Sequence, residues 1–185
     1  MFGTIKKPES RYFCIKEKDM VSKLAAAIKE MVASVNKPVK IVCIGTDRST
    51  GDSLGPLVGY KLQGKGMNVA GTLDEPLHGQ NIREYAESKG NLEDFFVIAV
   101  DACLGRAESV GKIVVKQGPL YPGSGVNKDL PGVGDMNIQG IVNVGGFMEY
   151  MVLANTRLSE VMKQADFISM ALELAVVKEE AHNVQ

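Results

Sequence analysis

Two aspartates, each preceded by an apolar run, are the residues of this sequence best placed to do chemistry. Asp52 lies in the polar stretch Gly45-Thr46-Asp47-Arg48-Ser49-Thr50-Gly51-Asp52-Ser53-Leu54-Gly55-Pro56, which follows the apolar run Val39 to Ile44. Asp101 follows Phe95-Phe96-Val97-Ile98-Ala99-Val100 and precedes Ala102-Cys103-Leu104-Gly105. Aspartate at such a place commonly caps a helix, accepting from free backbone N–H groups. Two of them at strand ends on one sheet edge would instead face each other. At about 5 Å and an effective dielectric near 20, two carboxylates repel by roughly 3 kcal/mol, enough to raise one pKa by about two units. Such a pair shares either a proton or a cation. A shared proton gives an acid/base pair that activates water on an amide carbonyl. A shared divalent cation gives metal-assisted hydrolysis, with His78 as the nitrogen ligand beside Asp52 and Asp101. Both routes end in hydrolysis.

Competing chemistries leave no signature. The chain has no glycine-rich dinucleotide fingerprint, no phosphate loop, no paired-cysteine zinc motif and no Gly-x-Ser-x-Gly elbow. No cofactor is therefore expected, apart from the cation the pair itself would hold. Asp47 and His78 are candidates to shape the site. Gly123-Ser124-Gly125 is a third candidate, since its backbone N–H groups suit an anion or oxyanion as well as a simple turn.

The elements that position these residues read as a parallel α/β pattern. Asp19 to Val35 has helical spacing, with Asp19 as its cap. Val39–Gly45 reads as a strand, Ser53–Gln63 as a helix, Val69–Leu73 as a strand and Asn81–Lys89 as a short helix. The strand ending at Asp101 completes a βαβαβ order, whose economical topology is a mainly parallel sheet with ligands at the carboxyl edge. Gly111–Lys116 follows with little room for a crossover helix, so local antiparallel pairing is open there. Pro119 to Gly140, rich in Gly and Pro, reads as a long binding loop or lid. Ile138–Val144 is the last strand, and two helical patterns, Phe147–Ala154 and Arg157–Val177, close the chain.

Composition sets the limits. The 185 residues suit one domain, with residues 1–18 as an N-terminal arm. With 21 basic against 22 acidic residues there is no general electrostatic grip on nucleic acid or an anionic membrane. Tryptophan is absent and aromatics are few, which disfavours stacking on single strands. Three widely spaced cysteines do not make a disulfide framework, and neither a membrane span nor a signal-peptide order is visible. A cytoplasmic protein is expected. The apolar residues Phe167, Ile168, Met170, Leu172, Leu174, Val176 and Val177 exceed one narrow stripe and offer a surface for a homo-oligomer.

Gly51-Asp52-Ser53-Leu54-Gly55-Pro56, Val100-Asp101-Ala102 and Pro122-Gly123-Ser124-Gly125-Val126 resemble segments of the spore germination protease, and the chain as a whole resembles the YyaC family of sporulation proteins. The resemblance implies the three-layer α/β/α fold of the hydrogenase maturation endopeptidases, with a mainly parallel central sheet. It implies an atypical aspartic endopeptidase of the spore or forespore, with a protein or peptide substrate such as the small acid-soluble spore proteins. Asp52 falls on the first catalytic aspartate of the germination protease and on a metal-binding glutamate of the hydrogenase endopeptidases. Asp101 matches the second acidic position of both. The third ligand of the hydrogenase enzymes is a histidine beyond the next strand, where this chain has Asp135 and Asn137. A sporulation protein that keeps the fold and binds a partner without cutting it is the alternative.

Overall fold

The computed structural model describes residues 10–122 and 132–176. In chain order the elements are β1 (Ser10–Cys14), α1 (Met20–Val32), β2 (Val39–Cys43), a 3-10 turn (Gly51–Ser53), α2 (Leu54–Gln63), β3 (Val69–Ala70), α3 (Ile82–Glu84, continued as a π turn to Lys89), β4 (Phe96–Gly105), β5 (Lys112–Gln117), β6 (Met136–Val144), α4 (Glu149–Ala154) and α5 (Leu158–Val176). The six strands form one sheet in the order β1-β5-β6-β4-β2-β3.

This sheet is mixed, which corrects the mainly parallel sheet expected. β3, β2, β4 and β6 run parallel, whereas β5 is antiparallel to β6 and β1 antiparallel to β5. The cause is the short link after β4. Between Gly105 and Lys112 there is only a 3-10 turn at Ala107–Ser109, too little chain for the helical crossover a parallel neighbour requires. The arm read over residues 1–18 holds the edge strand β1, which pairs Tyr12 with Val114.

Alternation along each strand divides the core in two. Ile41, Cys43, Ile98, Val100, Ile113, Val115, Met136 and Ile138 face the layer of α1, α2 and α5. Val42, Ile44, Val97 and Ala99 face the other way, onto Leu77, Ile82, Leu120 and Val133. Each strand buried on both faces therefore reads as a continuous apolar run. Most of the apolar excess of α5 serves the first of these layers: Ile168 and Leu172 are core residues, and Phe167 and Val176 pack against them. Met170 and Leu174 stay exposed, and Val177 lies outside the described residues. Among the described residues no helix is long and apolar enough to cross a membrane.

Several boundaries differ from expectation. β4 continues four residues beyond Asp101, and β6 starts at Met136, inside the stretch read as loop. The second parallel strand shrinks to Val69–Ala70. Asp19 precedes α1 but makes no side-chain cap.

Candidate functional site

β2 ends early, and that opens the site. Cys43 pairs with Val100, after which β4 and β6 run on together to Gly105 and Val144. Asp101 is thus the first β4 residue past the end of β2. It is a mid-strand residue at the carboxyl edge of its neighbour, not the strand end that the apolar run suggested. The Ile44 N–H still donates to the Val100 carbonyl at 2.7 Å, and the chain then turns away at Gly45.

That turn brings Asp52 back over the strand ends. Gly45 has φ +139, and a Cβ there would overlap the Asp52 carbonyl oxygen. Only glycine suits both the conformation and the approach. The Thr46 N–H donates to the same carbonyl at 3.1 Å, closing the loop. Inside it, the Ser53 hydroxyl donates to the Thr50 carbonyl at 2.6 Å, and both N–H groups of Arg48 that reach Thr46, Nα and Nε, lie 3.3 and 3.4 Å from its Oγ1. Ser49 Oγ is buried without a partner among the described residues. Gly55 then lets α2 press on β2, since a Cβ there would overlap the Ile44 carbonyl.

His78 comes in from the loop after β3. Ile44 bridges Leu77 in parallel, and the Gly45 N–H donates to the Leu77 carbonyl at 2.8 Å. The His78 N–H donates to Asn81 Oδ1 at 2.8 Å, and His78 Nδ1 accepts from the Gln80 N–H at 3.3 Å. A neutral ring therefore carries its proton on Nε2.

Neither aspartate caps a helix. The 3-10 turn that contains Asp52, and α2 after it, have no side-chain cap. Asp101 Oδ1 accepts from the Ala102 N–H at 2.7 Å, within β4. Burial raises the pKa of Asp52, opposed by the Thr46 backbone and by the charge of His78. Burial also raises Asp101, well above the ordinary range, and the charge of Asp52 raises it further, against the Ala102 N–H. The mutual repulsion falls on Asp101, the more enclosed of the two. The pair therefore deprotonates at Asp52 first and holds its remaining proton on Asp101.

The structure thus brings Asp52 within electrostatic reach of both Asp101 and His78. Asp47 is exposed on the outer side of the loop, and no interaction among the described residues joins it to the pair. Gly123, Ser124 and Gly125 lie outside the described residues. Among the described residues, no three His, Cys, Asp or Glu side chains converge to hold a metal ion. Asp135, at the place of the third ligand, has its Oδ2 accepting from the Val97 N–H at 2.8 Å, and the Asn137 amide donates to the Gly118 carbonyl at 2.9 Å. The donor set does not fit the divalent cation that the resemblance implies.

Three further residues share the site's face of the sheet. Register sets Asp101 opposite Gln139 and Gln139 opposite Val114, so Cys103, Gln139 and Lys116 alternate onto the same side as Asp101. Burial and the Asp101 charge push the Cys103 thiol up to about 12, partly offset by Lys116. Their signal was present in the sequence: Lys116, Asn137 and Gln139 are polar at alternate positions of otherwise apolar strands.

An α/β protein with two half-buried aspartates near the end of a short parallel strand is the class these features define. Residues 12–171 match the family model described as "Protein of unknown function (DUF1256)", and the chain belongs to that family. It is similar to the "Uncharacterized protein YyaC" of Bacillus subtilis (strain 168), with 55% identity over 145 residues, 76% of this chain and 71% of that protein.

Proposed function

We propose that this chain is an endopeptidase of the germination-protease type, active in sporulation or germination, with Asp52 as general base and Asp101 as general acid. The observation that carries the reading is the asymmetry of the pair: burial first, and then the charge of Asp52, holds the proton on Asp101. In the reaction, Asp52 takes a proton from water as its oxygen attacks the amide carbon, and Asp101 gives its proton to the carbonyl oxygen. The C–N bond of the tetrahedral diol then breaks. Asp52 returns its proton to the leaving amine, and a diol hydroxyl restores the proton of Asp101. No metal enters these steps. The likeness to the hydrogenase maturation endopeptidase fold and the small acid-soluble spore proteins as substrate belong to the same reading, supported by the motif resemblance at Asp52 and Asp101.

The test is incubation of the folded protein with small acid-soluble spore proteins and mapping of the fragments. Cleavage is expected, with a bell-shaped pH profile set by the two carboxyls. Asp52→Asn and Asp101→Asn should each lower it at least about 100-fold, the usual worth of a positioned acid or base. Cleavage that survives both substitutions would falsify the assignment.

A non-catalytic partner-binding role is the second reading, and one observation favours it. Phe147, Met148, Tyr150 and Met151 form an exposed apolar cluster at the start of α4. On this reading the double Asp→Asn variant supports sporulation as well as the wild type, and substitutions in the cluster do not.

A further inference from the structure

Lys116 is a half-buried cation on the sheet face that carries Asp101. Its Nζ donates to Gln139 Oε1 at 3.3 Å, and among the described residues it makes no ion pair. This contact fixes the orientation of the amide, because an ammonium can only donate and must meet the carbonyl end of glutamine. That contact takes one of the two lone pairs of the Gln139 carbonyl oxygen. What the two side chains still present is mostly donors: the remaining N–H groups of the ammonium and the Nε2 group of the amide. A donor-rich pair with one net positive charge is complementary to a carboxylate, which offers two oxygens and no proton.

Its place on the sheet gives the distance to the chemistry. Gln139 is opposite Asp101, one strand spacing of about 4.8 Å away, and Lys116 stands on the next strand over, opposite Asn137 and so two residues along. Its backbone is roughly 12 Å from Asp101, and the ammonium reaches back to Gln139, which keeps the subsite within the length of about three residues of extended chain. The ammonium donates to Gln139, the residue opposite Asp101, so it leans toward the site and not away from it.

We infer that Lys116 and Gln139 form a specificity subsite that takes a carboxylate of the bound polypeptide within about three residues of the bond presented to Asp101. The inference rests on the peptidase reading for the polypeptide, and on the donor geometry for the carboxylate. Either an acidic side chain or a C-terminal carboxylate supplies that group.

Four fluorescein-labelled decapeptide pools distinguish these sources: one central position fixed as Glu or as Gln, each with a free or an amidated C-terminus. Binding to the full chain is read by anisotropy for the wild type, Lys116→Met and Lys116→Arg. The wild type should bind the Glu pools about tenfold more tightly than the Gln pools, the value of one modest charge-assisted hydrogen bond. Lys116→Met should abolish the preference, and Lys116→Arg should keep it. A preference for free over amidated termini, also lost in Lys116→Met, assigns the subsite to the chain terminus. Equal affinity of the wild type for all four pools, undetectable binding included, overturns the inference, as does a preference that survives in Lys116→Met. Cleavage of the same pools is scored separately. Preference without cleavage leaves the subsite standing and removes the peptidase reading, and cleavage without preference removes only the subsite.

Discussion

A carboxyl group that loses water on folding becomes a weaker acid, and Asp101 carries that cost twice, from burial and from the charge of Asp52. The effect on stability has a definite sign. The folded state keeps a proton that the unfolded chain releases near the ordinary aspartate value of about 3.9, so the contribution of Asp101 is fully present below that pH and declines as pH rises through the folded value. Asparagine at 101 keeps the shape and never ionises. Melting temperature followed from pH 4 to pH 8 should therefore fall less in Asp101→Asn than in the wild type, and at pH 8 the variant should be the more stable. A wild type that gains stability over this range relative to the variant contradicts the buried, protonated state. At this scale the sequence was informative about identity and weaker about place. Both aspartates were visible from the apolar runs before them, Asp101 directly at the end of one and Asp52 in the polar stretch that follows the other. That Asp101 sits within β4 was not visible, since a charged residue at the end of an apolar run reads as the end of the strand, and Ala102-Cys103-Leu104-Gly105 beyond it belongs to a strand that outruns its neighbour β2.

The unit of β2, loop and α2 holds Asp52, and its glycines set how closely helix and strand approach. A Cβ on Gly55 would overlap backbone of Ile44, just past β2, which no rotamer change can relieve. Gly55→Ala should cost about 1 to 3 kcal/mol in denaturant unfolding, the usual range for overpacking. It should also impair catalysis beyond that cost, because the shift of α2 carries Asp52 with it. A fully stable and active alanine variant would show that the contact is looser than described. The apolar runs of β2 and β4 and the spacing of α1 and α5 were legible because burial imposes them. β3 was overestimated, as Gly71 (φ +82) ends its pairing beneath Gly59. The short link after β4 already left antiparallel pairing of β5 open, and β5 does pair antiparallel with β6, whereas β1 joins residues about a hundred positions apart, such as Tyr12 with Val114, and no local pattern encodes that choice.

Across the whole molecule the large exposed apolar residues are unevenly spread. Tyr12, Tyr60 and Leu174 stand apart on different elements, whereas Phe147, Met148, Tyr150 and Met151 are consecutive or nearly so, with Phe147 87% and Tyr150 70% exposed. Met148 adopts a left-handed conformation (φ +53), which directs the chain from Gly146 into α4. Phe147, Met148 and Met151 line a groove of about 520 Å³ together with Val144, Val152 and Asn155. The groove is joined to the candidate site by packing. Gly51, next to Asp52, is so close to α4 that a Cβ would meet Leu153 and Thr156, and Asn143 at the end of β6 donates to Thr156 Oγ1 at 3.2 Å. On the proposed peptidase reading, a polypeptide held at Asp52 would have this apolar surface next to it, with methionines able to adapt to different side chains. Phe147→Ser and Tyr150→Ser remove apolar area that already faces water, so each should change unfolding free energy by no more than about 0.5 kcal/mol. In the cleavage assay the pair of substitutions should raise KM for small acid-soluble spore proteins about tenfold and leave kcat near the wild-type value, the pattern of lost binding that does not change between ground and transition state. A fall in kcat at constant KM would place these side chains in the chemical step, and an unchanged KM would detach the surface from the site altogether.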